Sequence, residues 1–242
     1  MRSITFELCA ETLQACLAAR EGGANRIELC SALSEDGLTP SHGFIQAAVK
    51  QSGLPVYVLL RPRTGDFIYS DPEFALMRED LLHARALGAS GFALGILHAD
   101  GAVDLKRTRE LVELAAPLEV TFHRAFDLTP LLDKALEDVI AAGCRRVLTS
   151  GGECDVVAGS ANLARLVERA GERVDIAVGG GLRLDNAATV AQATHACHFH
   201  GSVRRRVANA VNGSRFAQSF ANKYAVEPDD IRAIITSLYG RS

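Results

Sequence analysis

Apolar residues come in eight short runs along the chain, beginning near Ile4, Arg26, Val56, Gly91, Leu118, Arg145, Val174 and His195. Successive starts lie 21 to 35 residues apart, which suits one strand, a loop, a helix and a return turn. An alanine-rich segment with helical periodicity that closes on glycine precedes several of them, as in "AAREGGANRIEL" (18–29), "ARALGASGFALGI" (84–96) and "VIAAGCRRVLTS" (139–150), and more loosely in 50–61 and 168–180. Glycine suits the position after a helix because it takes a positive φ without a Cβ penalty. Three helix starts are predicted from a capping residue followed by proline: Thr39 with Pro40, Asp71 with Pro72, and Thr129 with Pro130. The runs are rich in Val, Ile and Leu, as strands covered by helices on one side and a packed interior on the other should be. Eight such units without an obvious linker predict an α/β protein: a single TIM-type (β/α)8 barrel domain over residues 1–242. An open doubly wound sheet often places G-x-G-x-x-G after its first strand, whereas "AETLQAC" stands there. After the eighth run, "EPDDIRAIITSLYG" predicts a C-terminal helical extension that packs on the barrel or on a partner.

In such a barrel the chemistry gathers where strands run out into their following loops. Alternate residues of a strand share a face, so parity assigns the inward side chains. By this count Glu7 and Cys9 face inward together from the first strand, and Glu28 and Cys30 from the second. The third sends Leu59, Arg61 and Arg63 inward, the fifth Thr121 and His123, and the eighth His198, His200 and Ser202. Ionisable groups inside a barrel are costly unless paired. One explanation is a self-satisfied network, such as Glu7 or Glu28 against Arg61. The other is a polar pocket that binds something, which is favoured because the charges cluster at strand ends.

A net charge of −3 on 242 residues leaves no electrostatic footprint for nucleic acid or an anionic membrane. The dense basic cluster "VRRRV" (203–207) reads as a solvated helix face, with an anion contact as the alternative. No apolar run approaches the ~18–20 residues that span a bilayer, and the N-terminus lacks the features of a signal peptide. Six cysteines without a C-x-x-C pair are too sparse for a disulfide scaffold, so a cytoplasmic protein with reduced thiols is expected.

The stretches "RIELC", "GLTPS", "RPRTGDFIYSDPE", "ADGAVD", "TFHRAFD", "RVLTSG" and "GGG", in this order from the second strand to the seventh, resemble the CutC family of copper homeostasis proteins. The resemblance covers most of the chain. It departs at Thr64, where glycine is usual, and at "SEDGLTPS", where "GGLTPS" is common. What it implies is a cytoplasmic TIM-type barrel that handles copper, commonly as a homodimer, with Cys9 and Cys30 in the positions of Cu(I) ligands. Soft thiolates select Cu(I). Strands ~4.8 Å apart and two metal–sulfur bonds of ~2.3 Å make a two-cysteine clamp feasible, although strand tilt can offset the pair by about one residue rise.

Two other readings compete. An enzyme would use Glu7, Glu28, Arg61 and His123 for acid–base chemistry on a small anionic or sugar-like metabolite. The glycine run Gly179, Gly180 and Gly181, with Gly201 and Ser202, stands where many barrels bind an anion through backbone N–H groups. A non-catalytic interaction scaffold is the third reading, since fold does not settle function.

Overall fold

The computed structural model describes residues 3–207 and 223–240. The eight apolar runs become eight parallel strands, hydrogen-bonded in sequence order and closed by the last upon the first. They are β1 (Thr5–Ala10), β2 (Arg26–Leu29), β3 (Val56–Leu59), β4 (Gly91–Leu94), β5 (Glu119–Phe122), β6 (Arg146–Thr149), β7 (Asp175–Val178) and β8 (His198–Gly201). The last begins three residues later than the pattern predicts, because His195 takes a left-handed conformation to end the preceding helix. Seven helices alternate with the strands: α1 (Leu13–Gly22), α2 (His42–Gln51), α3 (Asp71–Ala86), α4 (Leu105–Ala115), α5 (Leu132–Ala142), α6 (Ser160–Ala170) and α7 (Ala187–Thr194).

Two apolar assemblies result from the strand parity. Phe6, Leu8, Ile27, Leu29, Val58, Phe122 and Phe199 are buried between sheet and helices in one continuous mantle. Burying each such side chain stabilises by roughly 1.5–3 kcal/mol. Cys9, Cys30, Leu59 and Ala93 form a separate small cluster inside the ring. The E-L-C repeats therefore send leucine outward and cysteine inward, as parity predicts.

After β8 the chain forms a two-stranded antiparallel ribbon, β9 (Arg205–Val207) with β10 (Lys223–Ala225), and then α8 (Pro228–Leu238). The basic cluster is thus loop and ribbon, and the expectation of a solvated helix face is corrected: its arginines reach acids, Arg204 to Glu11 and Arg205 to Asp230. The C-terminal helix packs against α1 and α7 through buried Ile231, Ile234 and Leu238. It completes the helical mantle, so its apolar face is not left over for a partner chain. The approach to α1 is close enough to need glycine, since a Cβ at Gly22 would stand 2.6 Å from Ile231 Cβ. No helix among the described residues is long and apolar enough to cross a membrane.

The three predicted caps are corrected. Ser41 caps α2, because Thr39 Oγ1 is occupied in accepting from Arg61 N–H at 2.8 Å. Ser70 caps α3 in a full capping box with Glu73, leaving Asp71 as the first helical residue. Thr129 donates its hydroxyl to Phe126 O, and α5 starts without a side-chain cap.

Candidate functional site

The strand register stacks the inward polar side chains in levels. At the floor, Glu7 of β1 lies opposite His200 of β8, and His200 Nδ1 meets its carboxylate at 2.8 Å. The carboxylate's other oxygen accepts from Arg146 Nη1 at 3.2 Å, and Arg146 Nη2 stands 3.1 Å from His198 Nδ1. The expected partner of Glu7 or Glu28 was Arg61; the structure supplies Arg146 to Glu7 instead. Burial works to raise the Glu7 pKa, but the His200 hydrogen bond and the Arg146 charge outweigh it and hold the group at about 2. His200 in turn is raised: burial opposes its charge, while Glu28 and Glu7 together overcome that opposition.

One level higher, Cys9 lies opposite Glu28. Its thiol donates to Glu28 Oε1 at 3.5 Å and faces Cys30 Sγ at 3.6 Å. Hydrogen bonding to Cys30, burial and the nearby Glu28 charge all push the Cys9 pKa well above its ordinary value. Glu28 is raised too, by burial, with His200 working against the rise. Cys9, Glu28 and His200 each offer one ligand atom, all within 4.8 Å of one another. His200 Nε2 stands 4.0 Å from Glu28 Oε1.

Above these groups opens a cavity of about 820 Å³ at the carboxyl ends of the strands. Cys9, Glu28, His200, Arg61 and His123 reach it, as do Gly180, Gly181, Gly201 and Ser202. Glu7 lies beneath it and Cys30 behind its wall. Gly179 also stands back: its N–H donates to Thr149 O in the sheet. A Cβ there would lie 2.6 Å from Leu148 Cδ1 and 2.9 Å from His200 Cβ, so this glycine makes room for two lining side chains. Arg63 does not continue the inward alternation, because β3 ends at Leu59 and Arg63 binds Glu73 at 2.5 Å in the following loop.

His123 sits at the end of β5, where its Nδ1 accepts from Ala125 N–H at 3.1 Å. Burial, with the Arg61 charge adding to it, depresses its pKa to about 3, so the ring is neutral with its proton on Nε2. Arg61 donates from Nη1 to the carbonyls of Glu35 and Gly37 at 2.7 and 2.8 Å, and from Nη2 to that of Gly65 at 2.9 Å.

Parity at the strand ends missed four contributors. Arg146 was within reach of it: Val147 belongs to the mantle, so its neighbours Arg146 and Leu148 face inward. Arg124 and Asp127 lie in "FHRAFD", past the strand, where parity no longer applies. Asp127 accepts from the N–H groups of Ser150 and Gly152 and from Arg124 Nε, tying the β5 and β6 loops together. Gly95 carries no side-chain signal at all. A Cβ on it would stand 2.5 Å from His123 Cε1.

Comparison with known proteins agrees with this architecture. The sequence pattern of the CutC family matches residues 4–205. A CutC family protein of Chromobacterium violaceum is 49% identical over 210 residues, 87% of this chain and 85% of that protein. One from Vibrio vulnificus is 46% identical over 200 residues, 82% and 80% of the two chains. Among solved structures, CutC from Streptococcus agalactiae, described as a candidate copper homeostasis protein, superposes with a TM-score of 0.78 at 33% identity. That match covers 82% of this chain and 98% of that one. The barrel, the paired E-L-C strands and the similarity along most of the sequence lead to one assignment: the chain belongs to the CutC family.

Proposed function

We propose that the protein binds Cu(I) between Cys9 and Cys30 and handles copper in the cytoplasm. The observation that carries this reading is the 3.6 Å separation of two reduced, buried sulfurs on neighbouring strands. With metal–sulfur bonds of ~2.3 Å, that separation corresponds to a bent bridge of about 100°, whereas a linear one needs ~4.6 Å. A bent two-sulfur site leaves a side open for a third donor, and His200 and Glu28 are the groups beside Cys9. Thiolate and imidazole are donors that suit copper. Both thiols must lose their protons to bind, and the raised Cys9 pKa makes uptake pH-dependent: affinity increases with rising pH. The test is a Cu(I) competition against a chromophoric chelator. Wild type should retain one equivalent, and the Cys9→Ser/Cys30→Ser double variant, shown folded by circular dichroism, should retain none. Equal stoichiometry in the two proteins refutes the site.

A second reading is supported by a separate observation: Glu28, Arg61 and His123 line one open cavity large enough for a metabolite. On this reading Glu28 is the proton acceptor and His123 a neutral hydrogen-bond donor to a developing oxyanion. Glu7, ion-paired below the cavity, holds His200 in place rather than touching a substrate.

A further inference from the structure

The rim of the cavity contains a buried cation whose acceptors among the described residues are all backbone carbonyls. Arg61 is only 4% exposed, and its two terminal nitrogens are clamped by the carbonyls of Glu35, Gly37 and Gly65. Carbonyl dipoles orient the group but do not neutralise it, and its Nε–H has no partner among the described residues. The contrast is with Arg146, equally buried, which has Glu7 as counter-charge. A charge withdrawn from water without a counter-ion is strongly unfavourable, so a fold that holds one at the wall of a cavity gains when an anion enters.

A second donor stands beside it. The His123 ring carries its proton on Nε2, a buried atom that likewise has no partner among the described residues. The Phe67 ring lies against both groups, its centroid 4.9 Å from the His123 ring and 5.2 Å from the Arg61 guanidinium carbon. Leu33, Leu59, Leu148 and Leu182 supply apolar wall to the same cavity. About 820 Å³ is far more than a bare inorganic ion fills. Charge, a neutral N–H and apolar surface around one space select an anion that carries a hydrocarbon body.

We propose that Arg61 and His123 form the anchoring subsite for a small organic carboxylate, bound against Phe67. A carboxylate suits the planar guanidinium edge and can accept from the imidazole with its second oxygen. The proposal rests on the small-molecule reading of the cavity and is independent of copper at the thiols.

The test is calorimetric titration of the full chain with benzoate, with its neutral isostere benzamide, and with inorganic phosphate. Benzoate should bind one-to-one and at least tenfold more tightly than either of the others. Its binding should also shift the ¹⁵N signals of the His123 ring in wild-type protein, a readout that needs no variant. Arg61→Met should weaken benzoate more than tenfold. His123→Phe, which keeps a ring but removes the N–H and leaves the Arg61 clamp intact, should weaken it several-fold. Benzamide binding as tightly as benzoate overturns the carboxylate subsite while leaving the cavity a small-molecule site. Tighter binding of phosphate than of benzoate overturns the carboxylate assignment. Binding of none of the three overturns both.

Discussion

Replacing Arg146 with methionine asks whether the barrel floor is held by an ion pair. Arg146 and Glu7 side chains are 3% and 2% exposed, and their charged atoms lie 3.2 Å apart. Methionine keeps much of the stem and removes the charge, leaving Glu7 with His200 as its remaining partner. Removing one member of a buried pair typically costs ~3–5 kcal/mol. Arg146 contributes to the depression of the Glu7 pKa from 4.5 to about 2, behind the His200 hydrogen bond, which lowers it more. For a chain of this size a loss of ~3–5 kcal/mol lowers the melting temperature by on the order of 6–20 °C.

The pH dependence carries the sharper signature. A carboxylate whose folded pKa lies below its unfolded value stabilises fully above the unfolded pKa, and that stability is lost as pH falls through the folded one. For Glu7 the window runs from 4.5 down to about 2. Without Arg146 the folded pKa rises, so acid unfolding begins at a higher pH. The Arg146→Met/Glu7→Gln double variant leaves no uncompensated carboxylate and should be more stable than Arg146→Met alone. Urea midpoints followed by circular dichroism between pH 3 and pH 8 measure all of this. A loss below ~1 kcal/mol in Arg146→Met, or a double variant that loses the sum of its singles, would sink the argument.

Two further outcomes follow from the geometry. Gly95→Ala places a methyl group 2.5 Å from His123 Cε1 and 2.7 Å from Ala125 Cβ, so it should displace the imidazole and destabilise by ~1–3 kcal/mol; a thermal melt and the His123 ring signals check it, and an unmoved ring refutes the packing. Of the six thiols, Cys154 is exposed, Cys197 partly exposed, and Cys9, Cys16, Cys30 and Cys144 buried. Iodoacetamide should therefore label Cys154 first in native protein, and mass spectrometry that finds Cys9 or Cys30 modified before it contradicts their burial.

The barrel was legible because its signals are local: a turn after each helix, marked by glycine in most of them though not after α4 or α7, and an apolar run after each turn. Parity then carried as far as the strands themselves extend. It placed Cys9, Glu28 and His200 correctly and failed at Arg63, four residues beyond the last residue of β3, where a loop no longer alternates. Helix caps failed for a related reason. Thr39 has the chemistry of a cap, but a backbone N–H from a different strand claims its hydroxyl, and nothing near position 39 announces that partner. At α3 the signal was present and misassigned, since Ser70 with Glu73 is a capping box that begins one residue before Asp71. Arg146 illustrates the remaining limit. Its partner Glu7 is 139 residues away, so the pair follows from closure of the ring and from no local pattern.

The repeated Glu-Leu-Cys gains its meaning from the stagger between β1 and β2. Had the two copies paired residue for residue, glutamate would face glutamate and cysteine would face cysteine. Instead the register places Glu7 beside Arg26 and Cys9 beside Glu28, a displacement of two residues where tilt alone suggested about one. Each acid is thereby given a different task. Glu7 falls to the floor, where Arg146 and His200 keep it ionised. Glu28 rises to the level of Cys9, accepts its S–H, and has a raised pKa. Cys30, pushed one level further up, still reaches back to 3.6 Å from Cys9. The result is that Cys9 stands between a second thiol and Glu28, a carboxylate on the cavity wall. A two-residue register shift, rather than the motif itself, is what sets the paired thiols beside that carboxylate.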